Sequence, residues 1–341
     1  MKTASAEPIV ERIAMKHGAG GRSMRALIER VLVDRTSPIA AGLDDGAAIP
    51  VGDRWLIVST DSHVIHPIAF PGGDIGRLSV CGTVNDLAMM GATEPLGLTC
   101  GLIVEEGFAL EQLRDIRRSM AAACEEAGAA IVSGDTKVMG RGEIDGIVIN
   151  TTGVAITDLV IRDSGLRPGD ALIVTGTVGD HGVAVMAARH QLGFRRALVS
   201  DVAPLNGLVR AALAAAAGGI SAMKDPTRGG VASALHEMAA KSGVGIVLEE
   251  AAVPVRDEVR AAAELLGMDP LAIANEGKAL VGVSPDAADR VLAALRAHPL
   301  GREAVAIGTC ITAPRGSVIL ETGFGRRLLV EPEGDPLPRI C

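Results

Sequence analysis

Hydrophobic and polar positions switch repeatedly between a helical and a strand period along the chain, which predicts an alternation of helices and strands throughout. Leu113, Ile116, Met120 and Cys124 recur three or four residues apart, with charged residues between them, and predict an amphipathic helix over 110–127 that stops at Gly128. Helices are also expected over 23–34, 74–90 (ending near Gly91), from about 180, over 205–217 and over 231–241. Short apolar or β-branched runs predict strands at 55–60, 98–104, 146–156, 171–175, 245–248, 280–283, 305–311 and 317–321. The turn-rich stretch 163–170, DSGLRPGD, is the expected domain boundary. It divides the chain into 1–162, 163–330 and a tail, 331–341. The tail, EPEGDPLPRIC, has three prolines and no periodicity, so it reads as an extended arm with a reach of about 36 Å.

At 341 residues the chain is long enough for two separate cores. Hydrophobic residues make up 48% but aromatics only 1%, so these cores must be built from Ala, Val, Leu, Ile and Met. A net charge of -8 with scattered Lys and Arg argues against a nucleic-acid partner. No apolar run approaches the roughly 20 residues of a membrane helix. Charges interrupt any signal-peptide core near the N-terminus, and a cytoplasmic location is expected. The five cysteines lack CxxC spacing, which suggests neither a disulfide framework nor a zinc site. Cys81, Cys100, Cys124 and Cys310 lie in apolar segments and read as core, whereas Cys341 ends a polar tail.

Several polar motifs interrupt this apolar background. His17-Gly18-Ala19-Gly20-Gly21 precedes a helix, and its glycines let backbone N–H groups approach an anion; an ordinary turn would use the same residues. Asp44-Asp45, Asp61, Asn85-Asp86 and Asp225 supply hard oxygen ligands of the kind Mg2+ takes. Any one of these aspartates also suits a cap or turn, but Asp86 interrupts an apolar helix and needs a partner if buried. Gly134-Asp135-Thr136-Lys137 brings a lysine from a strand into a loop, without forming a Walker A sequence. Asp225-Pro226-Thr227-Arg228-Gly229 opens a helix N-terminus suited to phosphate, and Asn275-Glu276-Gly277 places an acid between a helix and a strand.

Taken in order, HGAGG, DDGA, STD, NDLAMMGA, GDTKV, DPTRGGV, NEG and the terminal PRIC resemble the motif series of the HypE family of hydrogenase maturation factors. That family is similar to aminoimidazole-ribonucleotide synthetases, the PurM-like ATP-binding superfamily. The resemblance covers the chain from His17 to Cys341. It implies a PurM-like α/β (α+β) two-domain fold, a homodimer formed through the strands of the N-terminal domain, and binding of ATP and Mg2+.

Carried over residue by residue, the resemblance implies that Asp45, Asp61, Asp86 and Asp225 hold metal and phosphates, with Asp44 and Asn85 as neighbours. Gly18, Gly20, Gly21, Gly134, Asp135, Thr136, Thr227, Arg228 and Gly229 would surround the nucleotide. Lys137 and Glu276 would face the reacting tail, and His17 would cover the phosphates or the thiol. Cys341 would be the substrate, carbamoylated by the partner HypF. ATP-dependent dehydration would turn that group into a thiocyanate, whose cyanide passes through HypC–HypD to [NiFe] hydrogenase. Two other readings stay open. One is a superfamily kinase or synthetase acting on a free small molecule, such as a selenophosphate synthetase, although the glycine loop lacks the Cys or selenocysteine common there. The other is a non-enzymatic scaffold that docks a partner through its tail.

Overall fold

Two sheets divide the chain in a computed structural model that describes residues 12–18, 20–32, 42–194, 197–216, 218–333 and 340–341. The first half contributes α1 (Gly21–Leu27), β1 (Ala47–Val51), β2 (Arg54–His63), β3 (Ala69–Phe70), β4 (Gly73–Asp74), α2 (Ile75–Met89), β5 (Pro95–Glu105), α3 (Leu110–Ala127), β6 (Ile131–Met139) and β7 (Ile147–Thr157). Five of its strands form a sheet in the order β1-β2-β7-β5-β6, antiparallel except for the parallel β5–β6 pair. The short strands β3 and β4 pair only with each other.

The second half begins with β8 (Ala171–Val174), α4 (Asp180–Arg189), α5 (Asn206–Ala215), β9 (Ile220–Lys224), α6 (Gly230–Ser242) and β10 (Gly245–Glu249). It continues with α7 (Asp257–Leu266), β11 (Leu280–Val283), α8 (Pro285–Ala297), β12 (Val305–Ile311), β13 (Val318–Thr322) and β14 (Gly325–Leu328). These strands form a seven-stranded sheet, β14-β13-β10-β12-β8-β11-β9, in which only β10–β13 is parallel.

The helix α2 joins the halves. Its N-terminus is capped by Asp74, whose carboxylate accepts the Arg77 N–H at 2.8 Å, and it ends before Gly91 at φ 86°. Within it only Arg77 and Asp86 escape full burial. An all-round apolar helix needs cover on every side. Here β2 and β7 lie beneath it, α3 flanks it, and α5 and β9 of the second half close over it. One core cluster accordingly runs from Leu78 and Ile116 through Val183 and Ile273 to Ile340. Cys81, Cys100, Cys124 and Cys310 are buried, as their apolar settings predict.

Several elements differ from the sequence reading. The first helix begins at Gly21 and passes into a π-helical turn, Ile28–Leu32, while positions 33 and 34 lie outside the described residues. The GDTK segment is not a loop but part of β6, an exposed edge strand. Ile340 docks rather than floating: it is buried and bridges Ile65 in antiparallel fashion. Positions 334–339 of the expected arm lie outside the described residues, as does Ala19 of the glycine motif. Among the described residues, no helix is long and apolar enough to cross a membrane.

Candidate functional site

A cleft of about 410 Å³ opens where the two halves meet. The first half lines it with Asp44 and Asp45 ahead of β1, with Ser59, Thr60 and Asp61 on β2, and with Gly82 and Asp86 on α2. The helical repeat places residues four apart on one face, so Gly82 and Asp86 look into the cleft together. A Cβ at Gly82 would stand 3.0 Å from the His63 ring, so the missing side chain lets β2 and α2 approach closely. The second half adds Lys224 and Asp225 at the end of β9, Thr227 and Arg228 ahead of α6, and Glu276. Gly20, Gly21 and the half-buried Cys341 complete the wall.

The adjacent residue Asn85 points elsewhere. Its amide nitrogen donates to the carbonyls of Ala203 at 3.1 Å and Glu276 at 3.2 Å, and its oxygen accepts the Leu205 N–H at 2.7 Å. Asn85 is therefore a clamp between the halves rather than the nucleotide neighbour the motif suggested, because one step along a helix turns the side chain by about 100°. On its other side Glu276 donates its N–H to Asp201 at 3.1 Å, and Asp201 pairs with Lys278 at 3.1 Å. The Glu276 backbone is thus held from two directions. Its Oε1 is buried and has no hydrogen-bond partner among the described residues.

Charge is concentrated here. Burial raises the Asp86 pKa well above the ordinary carboxylate value, and Asp225, Asp61 and Asp45 raise it further against a 2.6 Å hydrogen bond from Ser59. Asp225 is pushed up to about 8 by burial and by Asp45. Glu276 is likewise raised well above its usual value by burial, Asp225 and Asp61. These carboxylates repel one another and would ionise together only beside a cation. Lys224 supplies part of that charge: its ammonium lies 2.5 Å from Asp45, 3.4 Å from Glu237 and 3.5 Å from Asp163. Lys241 also reaches Asp163, at 2.6 Å. Among the described residues no three His, Cys, Asp or Glu side chains form a closed metal cage. An open carboxylate wall with two orphaned oxygens, Asp44 Oδ1 and Glu276 Oε1, instead fits a hard cation, which takes oxygen ligands.

Other predicted residues fall outside the cleft. His17 sits in a short 3-10 turn, Met15–Gly18, where its Nδ1 accepts the Ala14 N–H, and Arg228 donates to the Gly18 carbonyl at 3.2 Å. Gly229 caps α6 in a left-handed conformation. Gly134, Asp135, Thr136 and Lys137 lie on exposed β6, and Lys137 pairs with Asp135 at 3.0 Å instead of facing the tail of its own chain. The sequence reading missed Lys224, Glu237, Lys241 and the buried His63, whose Nε2 lies 3.5 Å from Asp61, and it took Ser59 only as part of the STD motif. For Lys224 a signal was present in the charge pair Lys224-Asp225 at a strand end.

The two halves coincide with two matched family models. AIR synthase related protein, N-terminal domain, covers residues 43–157, and the corresponding C-terminal domain covers 167–321. Carbamoyl dehydratase HypE of Escherichia coli K12 is 45% identical over 342 residues, spanning 97% of this chain and all of that protein. HypE of Cupriavidus necator is 49% identical over 336 residues, covering 97% of this chain and 95% of its own.

The chain belongs to the HypE family.

The solved structures agree. A HypE–HypF complex superposes with a TM-score of 0.85 at 43% identity, covering 90% of this chain and 100% of the HypE-family chain matched. A HypE structure in complex with ATP gives a TM-score of 0.81 at 42% identity, covering 96% of this chain and 99% of that one. Thiamine monophosphate kinase from Aquifex aeolicus, at 19% identity and a TM-score of 0.64, shares the fold alone.

Proposed function

We propose that this chain is an ATP-dependent carbamoyl dehydratase that acts on its own C-terminal cysteine and so supplies a cyanide ligand for [NiFe] hydrogenase. The observation that carries this reading is Cys341 docked in the same cleft as Asp61, Asp86, Asp225 and Glu276. An incidental terminal cysteine has no reason to lie beside buried, mutually repelling carboxylates. The HypE relatives, the HypE–ATP complex and the HypE–HypF complex support the same reading.

The carbamoyl oxygen on the Cys341 sulfur is a poor leaving group, so the terminal phosphoryl group of ATP moves onto it and ADP departs. The nitrogen gives up one proton as the phosphate ester forms; phosphate then leaves the carbon as the second proton passes to a base, which leaves C≡N. Glu276 is the general base: its Oε1 is buried without a partner among the described residues, and its raised pKa makes it a strong proton acceptor once a bound cation lets it ionise. Met24, Ile28 and Leu43 offer the adenine an aliphatic wall, and the N-terminus of α6 with Arg228 faces the phosphates. Asp61, Asp86 and Asp225 would hold Mg2+, with Asp45 beside Lys224 as a further ligand. When bound, Mg2+ neutralises phosphate charge during the transfer.

Lys137 acts, in this reading, from a second copy of the chain. Ile131, Val132 and Val138 are exposed along β6, an apolar edge that suits strand pairing in a homodimer. HypF as carbamoyl donor, HypC–HypD as acceptor, a cytoplasmic setting suited to five cysteines that form no disulfide, and domain limits near 163 and 331 belong to the same proposal. Cys341→Ala tests it. ATP turnover in the presence of the carbamoylating partner should fall to background; undiminished turnover would favour a kinase or synthetase acting on a free small molecule.

A further inference from the structure

The docked tail is gripped by a side chain that does not line the cleft. His181 stands in the first turn of α4 and is completely buried. Its Nε2 lies 2.6 Å from the carbonyl oxygen of Ile340, and its Nδ1 lies 2.8 Å from the Ser200 hydroxyl. A carbonyl oxygen only accepts, so the proton must sit on Nε2. Nδ1 is then a lone pair that accepts the Ser200 O–H, while the Ser200 oxygen accepts the Val202 N–H at 3.1 Å. Phe70 packs edge-on against the ring with centroids 5.4 Å apart. Hydrogen bonds at both nitrogens and the aromatic contact leave the imidazole a single orientation, aimed at the tail.

From the first half, Val64 donates its N–H to the Cys341 carbonyl at 3.2 Å, next to the Ile65–Ile340 bridge. The Ile340 side chain itself is buried in the core shared by both halves. Consecutive tail carbonyls are therefore held by opposite halves, Ile340 by His181 and Cys341 by Val64. The segment that orients His181 also serves the proposed base. Ser200 fixes the imidazole, and the next residue, Asp201, receives the Glu276 N–H.

We propose that His181 is a positioning residue for the tail: it latches Ile340 so that Cys341 faces the carboxylates, and releasing that latch opens the cysteine to the outside. The proposal rests on the reading of Cys341 as a tethered substrate, which must meet a carbamoylating partner in one state and Glu276 in another. Without the imidazole, the Ile340 carbonyl is buried with no donor among the described residues, and docking loses ground to the undocked state.

The test is the rate of Cys341 alkylation by iodoacetamide in the full chain, followed by mass spectrometry of the C-terminal peptide. The other four cysteines are buried and serve as internal controls. His181→Ala should raise the Cys341 rate about tenfold, the loss expected for one buried hydrogen bond. In His181→Gln the amide nitrogen can still reach the Ile340 carbonyl, and the rate should stay within about twofold of the unmodified chain. An unchanged rate in folded His181→Ala, or equal exposure in the Ala and Gln variants, overturns the latch. If His181→Ala fails to fold, Ser200→Ala takes its place. Removing the hydroxyl that sets the tautomer should speed alkylation several-fold, and no acceleration overturns the proposal. Alkylation needs neither ATP nor a carbamoyl group, so the latch and the dehydratase reading fail separately.

Discussion

The ammonium of Lys224 lies 2.5 Å from the carboxylate of Asp45, tying the end of β9 to the segment before β1 across the mouth of the cleft. Both side chains are largely buried, at 12% and 8% exposure. Removing one member of such a pair leaves the other charged and unmatched. Lys224→Met should therefore destabilise the chain by about 3–5 kcal/mol in chemical denaturation. Adding Asp45→Asn should recover much of that loss. Simple additivity of the two substitutions would show that the pair is not coupled.

The raised acids predict a pH dependence in the absence of metal. Asp225 is pushed up to about 8, against about 3.9 in an unfolded chain. Stability from its protonated form is complete below the unfolded value and is lost as pH rises through the folded one. Asp225→Asn removes that loss. With chelator present, the variant's gain in Tm over the unmodified chain should be small near about pH 4 and grow towards about pH 8. A constant offset across that range would contradict the assignment.

Glu276→Gln keeps the shape of the side chain and the two backbone hydrogen bonds that hold it, but removes the base. Dehydration in single turnover should slow by about 10²–10⁴-fold while nucleotide affinity by calorimetry changes little. A parallel loss of nucleotide binding would assign Glu276 to the phosphate site instead.

Lys137 separates action within one chain from action across two. If it serves a neighbouring copy, mixing Lys137→Ala with Glu276→Gln should restore part of the turnover that each lacks alone. A hybrid dimer would contain one site with an intact Glu276 from one copy and an intact Lys137 from the other. No recovery after verified subunit exchange would place both residues in the same chain's site.

The sequence was most readable where one face is buried and the other wet. The helix over 110–127 begins and ends where its apolar stripe and Gly128 predict. The strand expected at 146–156 appears as Ile147–Thr157 with alternating burial. Among the elements that went unread, α7 and α8 do carry that contrast, but β6 lacks it. β6 is exposed along nearly its whole length, so no period marks it, and only pairing with β5 makes it a strand. Within the site, the carboxylates of Asp45, Asp61, Asp86 and Asp225 could be named from their motifs, but their neighbours could not. Asn85 was misplaced because a motif does not reveal helical phase. His181 meets its tail partner across a separation of 159 positions, which no local pattern records.

Cys341, on the proposed function, is the substrate of the cleft it lines. Intact-mass spectrometry of the C-terminal peptide, after incubation with carbamoyl phosphate, the carbamoylating partner and ATP, tests it most directly. A carbamoyl adduct should form on Cys341 and lose one water only when ATP is present. An adduct that persists unchanged with ATP, or the absence of any adduct on Cys341, would contradict it.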